Sequence, residues 1–287
     1  MLTLWQVQQK PIQYGILQVI QTSITVFFSL VFVIAWRMDW QGRIQAEVIT
    51  AVIFTAISLL LLFRGGWFQF GFNSNYVRNA LNFGIPLIPH TLGSLAIVTT
   101  DRILITNLVG IKDTGIYVVG SQIGMIILMI ATSFNKAYVP WLYSQLKKND
   151  FLIKKKVVKL TYFYYIVILL LAIILSLTSP LFLNFIVGKN FVDSKPFILW
   201  IALGSAFKGM YYMVTNYIFY VEKTHLLASV TFLTAIVNLA SSYFLIHWNG
   251  SIGAAQGTML AFMMSFLLTW FLSAKVYQMP WVKIFIN

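Results

Sequence analysis

The sequence predicts an all-α, polytopic membrane protein of about eight transmembrane helices, and three observations carry that prediction. Of 287 residues, 59% are hydrophobic and only 9% are charged, against about 45–50% and about 25% in an ordinary soluble domain. A soluble chain of this size needs more polar surface to cover it. Mean hydropathy is +0.82. The apolar residues also come in blocks of about twenty, the length a helix needs to cross a hydrocarbon core, not in the alternating runs of about 9–11 that mark barrel strands. This composition excludes a soluble enzyme, a disordered chain and a nucleic-acid-binding domain. No nucleic-acid partner is expected, despite a net charge of +13.

Taken in order, the hydrophobic spans are expected at about 14–36, 44–63, 83–108, 115–134, 160–179, 196–219, 225–246 and 252–274. The first and second are uninterrupted apolar blocks, such as Ile44–Phe63. The third begins Gly84-Ile-Pro-Leu-Ile-Pro-His90, and Pro86 and Pro89 should bend it in its first turns. The fourth and fifth flank the longest loop, about 135–159, which holds seven lysines. The sixth carries Lys208 near its midpoint. The seventh spaces Thr231, Thr234, Asn238 and Ser241 by 3, 4 and 3, and the eighth places Gly253, Gly257 and Ala261 four apart. Both patterns are typical of helix-packing faces. Trp5, Trp36, Trp40, Trp67 and Trp281 fall near span ends, where amphipathic rings settle.

Basic residues set the expected orientation. Lys10, Arg64, Arg78, the seven lysines of 136–159, Lys223, Lys275 and Lys283 lie on one side, thirteen in all, against five on the other: Arg37, Arg43, Lys112, Lys189 and Lys195. The bias places both termini in the cytoplasm. The Lys154–Lys159 run reads first as a topology signal at an anionic membrane surface.

No catalytic constellation is visible, so an enzyme is not expected. His90, His225 and His247 are far apart without carboxylates at metal-ligand spacing, and with no cysteines a thiolate site is impossible. No cofactor or metal is expected.

Three buried ionisable residues resist a lipid-facing role. A charge at a helix centre costs about 2.5–3.5 kcal/mol on insertion scales, so it faces protein or water. In the third span His90, Ser94 and Asp101 share one stripe, with Thr91 and Arg102 on the adjoining one. Around Lys208 in the sixth span, Ser205 lies one turn before and Tyr211 and Tyr212 one turn after. Cations, hydroxyls and aromatic rings at mid-membrane suit an anionic, sugar-bearing ligand. The candidate substrate-binding residues are therefore Arg102, Lys208, Asp101, His90, Tyr211 and Tyr212. The alternative is a silent ion pair between helices, Lys208 with Asp101.

Two stretches carry a resemblance. Tyr76-Val-Arg-Asn-Ala-Leu-Asn-Phe-Gly-Ile-Pro-Leu-Ile-Pro-His90 with Thr100-Asp-Arg-Ile-Leu104 and Gly115-Ile-Tyr117, and Ser133-Phe-Asn-Lys-Ala-Tyr-Val-Pro-Trp-Leu-Tyr143, resemble the polysaccharide-repeat (O-antigen) flippases of the MATE-like multidrug/oligosaccharidyl-lipid/polysaccharide superfamily. The resemblance implies two six-helix lobes around a cavity, in the bacterial cytoplasmic (inner) membrane. It implies flipping of undecaprenyl-pyrophosphate-linked oligosaccharide, the O-antigen or capsule repeat unit, from inner to outer leaflet. The implied partners are this lipid-linked oligosaccharide, membrane lipids and other polysaccharide-assembly proteins. Arg102 lies in the family's Asp-Arg element, which lends it a cavity role; Lys208 has only its depth.

The eight spans match the family's fifth to twelfth. Residues 1–78 would then be two helices of the N-terminal lobe, and 79–287 a complete C-terminal six-helix lobe. On that alignment the chain is expected to lack its true beginning. Two rivals remain: a drug/cation antiporter of the same superfamily, which would want acidic cavity groups, and an O-antigen polymerase, an enzyme whose large outer loop is missing here.

Overall fold

The computed structural model describes residues 1–8, 10–67, 71, 73–186 and 193–282, without the side chains at 11 and 182–186. Lys189 and Lys283, both counted in the charge bias, lie outside the described residues. Among the described residues the regular structure is entirely helical, and eight helical stretches are long and apolar enough to cross a membrane. The predicted all-α class with eight spans is what the structure has.

The chain forms two units, Met1–Asn73 and Ser74–Asn287. The first contains α1 (Leu2–Val7), α2 (Pro11–Leu30), continued by a π-helical turn at Val31–Ala35, and α3 (Asp39–Arg64). Helix α3 buries Gly42, Ala46, Thr50 and Phe54, one face at four-residue spacing. A Cβ on Gly42 would lie 3.0 Å from Phe32, so glycine lets the two helices close.

The second unit holds α4 (Ser74–Gly84), α5 (Leu87–Leu108), α6 (Ile111–Gly124), α7 (Ile126–Leu146), α8 (Phe151–Ile186), α9 (Lys195–Tyr220), α10 (His225–Asn249) and α11 (Ile252–Val276). Helix α9 is the axis, buried over most of its length and packed by α6, α7, α8 and α11. Helix α5 lies chiefly against α10. Gly253 and Gly257 bring the α10 and α11 backbones together. A Cβ on Gly253 would come 2.1 Å from the Leu245 carbonyl, and one on Gly257 would come 2.3 Å from Ser242 Oγ.

Several boundaries differ from expectation. The third span is interrupted where the sequence expects a bend: α4 stops at Gly84 and α5 starts at Leu87. Pro86 has no N–H to give and disfavours helix at the residue before it. The fourth span runs over Ile111–Leu146 with a turn at Met125, and α8 already begins at Phe151. The expected 135–159 loop is thus almost wholly helical, with only residues 147–150 linking the two helices. Hydropathy reports residence in the membrane, whereas helices continue beyond it wherever they are capped. Here Asp150 Oδ1 accepts the backbone N–H groups of Leu152 and Ile153, at 2.6 and 3.1 Å, and starts α8. Trp281 is also not an exposed interfacial ring. It is buried, edge-on to Tyr162, Tyr217 and Trp270, and its carbonyl accepts from Tyr162 at 3.1 Å.

Candidate functional site

Asp101 is 1% exposed, on the α5 stripe that also buries Ile97 and Ile105. Its carboxylate is held entirely by neutral donors. Tyr117 on α6 donates to Oδ2 at 2.6 Å, Thr258 on α11 donates to Oδ2 at 2.5 Å, and Ser242 on α10 donates to Oδ1 at 3.3 Å. Behind them the Asn238 amide donates to Thr258 at 3.0 Å and to Ser242 at 3.5 Å. Asn238 Oδ1 is itself buried without a hydrogen bond. Four helices therefore meet at one carboxylate. A low-dielectric site strengthens such bonds and makes any unmade one costly.

Arg102, one residue on, is exposed. The approximately 100° rotation per helical residue turns it off the packed stripe onto the adjoining face. A recess of about 30 Å³, roughly one water's share, lies between Asp101 and Arg102 on α5, Tyr117, Ser205, Thr258 and Phe262. Among the described residues no hydrogen bond or ion pair engages the Arg102 guanidinium.

Lys208 forms a second cluster, enclosed by rings. Its Nζ lies 4.5 Å from the Tyr211 ring centroid, 5.3 Å from Phe262 and 5.9 Å from Tyr212, within the range of cation–π attraction. His90 joins it from α5. Its ring lies 6.5 Å from that of Tyr211, Nε2 is 3.4 Å from the Tyr211 hydroxyl, and Nδ1 meets the Thr231 hydroxyl on α10. The structure thus gathers His90, Lys208, Tyr211 and Tyr212 in one group, with Asp101 and Arg102 around the adjoining recess; Phe262 borders both.

The alternative of an Asp101–Lys208 ion pair is not realised. Among the described residues the ion pair is Arg43 with Glu47, on the surface at 3.8 Å. Asp101 is satisfied by hydroxyls, and Lys208 by aromatic faces. No group of three or more histidines or carboxylates able to hold a metal occurs among the described residues.

Tyr117, Thr231, Asn238, Ser242 and Thr258 complete the two clusters. The sequence presents Thr231 and Asn238 as a packing stripe and Tyr117 as part of the resemblance, and gives no signal that singles out Ser242 or Thr258. Thr258 sits beside Gly257, on the glycine face that brings α11 close enough to reach Asp101.

Residues 4–147 match the family model described as polysaccharide biosynthesis protein. An Lsg-locus protein of Haemophilus influenzae is 25% identical over 244 residues, covering 84% of this chain and 61% of that protein. An uncharacterised membrane protein of the same organism is 24% identical over 84% of this chain and 60% of its own length. The chain therefore spans about three-fifths of these relatives. Among solved structures, a point mutant of the Vibrio cholerae MATE transporter VcmN superposes with a TM-score of 0.76 at 13% identity, over 94% of this chain and 64% of that one. The bent form of the same transporter gives 0.70 at 13%, over 91% and 61%. These two likenesses concern the fold.

Proposed function

The chain belongs to the polysaccharide biosynthesis protein family, and from that premise we propose that it works in a membrane transporter that flips undecaprenyl-pyrophosphate-linked oligosaccharide to the outer leaflet. The carrying observation is the pair of cations within the spans, Arg102 and Lys208, with no carboxylate paired to either among the described residues. An arginine fork and a ring-flanked ammonium suit pyrophosphate, while Tyr211, Tyr212 and His90 suit sugar faces. In this reading 79–287 is the C-terminal lobe and 1–78 contributes two helices of the other. The protein is a transporter of the bacterial cytoplasmic membrane with both termini inside, and it catalyses no covalent step.

Asp101 supports a second, compatible role. Buried among hydroxyls, it is closed to a bulky sugar or cationic drug, so in this reading it is not itself a substrate contact. A carboxylate ringed by oxygens instead suits a proton or a small monovalent cation that drives transport.

The test is complementation of surface polysaccharide in a flippase-null strain by a full-length version, with membrane abundance measured alongside. Arg102→Ala with Lys208→Ala is expected to cut surface polysaccharide at least tenfold at equal abundance. Full activity of that double variant would overturn the substrate role.

A further inference from the structure

At the end of the second unit where α9 and α11 begin and α10 ends, a groove of about 670 Å³ opens beside α8. Lys195, Asn249, Gln256 and Ser176 supply its polar lining, and Leu199, Trp200 and Ile252 its apolar part. It is separate from the recess at Asp101, with which it shares no lining residue. No carboxylate lines it, and Lys195 has no ion-pair partner among the described residues. Asn249 donates to Gln256 Oε1 at 2.7 Å. That bond fixes the two amides and leaves the Gln256 amino group as donor and the Asn249 carbonyl as acceptor, the pair a hydroxyl needs.

The placement selects the occupant. Lys195 is the first residue of α9, Asn249 the last of α10 and Ile252 the first of α11, so the polar groups sit where spans meet water. Leu199 and Trp200 lie about a turn further along α9, at roughly 1.5 Å per residue toward the hydrocarbon. A free anion would use only the rim. We propose that this groove binds one anionic phospholipid whose headgroup carries free hydroxyls, the chemistry of phosphatidylglycerol. Its phosphate meets Lys195, its hydroxyls meet Asn249 and Gln256, and its glycerol-ester region rests on Leu199, Trp200 and Ile252. Neither transport nor the Arg102–Lys208 site is needed for this binding.

Native mass spectrometry of the purified chain in mild detergent tests it, with phosphatidylglycerol, phosphatidic acid, phosphatidylethanolamine and free glycerol 1-phosphate as probes. Phosphatidylglycerol is expected to be retained at least fivefold over phosphatidylethanolamine, and glycerol 1-phosphate to leave no adduct. Lys195→Gln should bring phosphatidylglycerol down to the phosphatidylethanolamine level. Gln256→Ala should bring it down to the phosphatidic acid level, leaving phosphatidic acid itself unchanged. Undiminished phosphatidylglycerol on Lys195→Gln would overturn the site. So would loss of selectivity only in Lys154→Gln, Lys155→Gln, Lys156→Gln, which would put the lipid at the lysine-rich start of α8. Equal retention of phosphatidic acid by the unaltered chain would overturn the hydroxyl contacts, and tight glycerol 1-phosphate binding would overturn the lipid.

Discussion

Asp101 and Arg102 are neighbours in sequence with opposite surroundings, one sealed among hydroxyls and the other exposed. That difference fixes how each should respond to change. Asp101→Leu removes the acceptor for Tyr117, Thr258 and Ser242 together, and an unmade buried bond costs about 1–3 kcal/mol. A thermal unfolding midpoint lowered by several degrees in detergent is expected. Adding Lys208→Met should not restore it, because no ion pair joins the two; restoration would show that a pair forms. At Arg102 the expected order of transport is Arg, then Lys, then Ala, since lysine keeps the charge and loses the fork. Complementation at matched abundance reads that order. The sequence made these cations and the carboxylate legible because charge inside a span has no bland use. It did not show which neutral groups reach Asp101, since a threonine or asparagine on a helix face looks the same whether it packs or hydrogen-bonds.

Helix boundaries follow a different logic from spans. Apolar length located all eight membrane stretches, because transfer to hydrocarbon is a sum over residues and survives local detail. The limits of α7 and α8 were not legible by that measure, because polar turns outside the membrane remain helical when a cap such as Asp150 begins them. Proline was legible at Pro86 as a defect, though not as a complete break. The glycines of α11 permit a sharper prediction. Gly253→Ala would place a Cβ 2.1 Å from the Leu245 carbonyl carbon, and Gly257→Ala one 2.7 Å from Ser242 Cα. Both require the backbones to part, and overpacking of this kind costs about 1–3 kcal/mol. Both variants should unfold at lower temperature than the parent. By contrast Gly115→Ala inside α6, where a Cβ meets nothing within 4 Å, should raise the midpoint slightly, since alanine is better than glycine inside a helix by about 0.5–1 kcal/mol.

Across the whole molecule, orientation rests on the lysines and arginines of the linking segments. The chain has no cysteine, so single cysteines at Lys155 and Asp193 can be labelled in intact cells without background. Position 193 is expected to react with an impermeant maleimide and position 155 only after permeabilisation; the reverse pattern would invert the topology. A grouping of the spans into lobes was suggested only by the resemblance, because hydropathy counts spans without grouping them. Contacts within the chain form two units, Met1–Asn73 and Ser74–Asn287.

The glycine seam between α10 and α11 has a mechanical consequence. Two of Asp101's three hydrogen-bond donors, Ser242 and Thr258, sit on opposite sides of that seam, where the backbones touch and cannot slide. Cancelling the charge on Asp101 would loosen both tethers at once, and the hairpin would answer as a single lever.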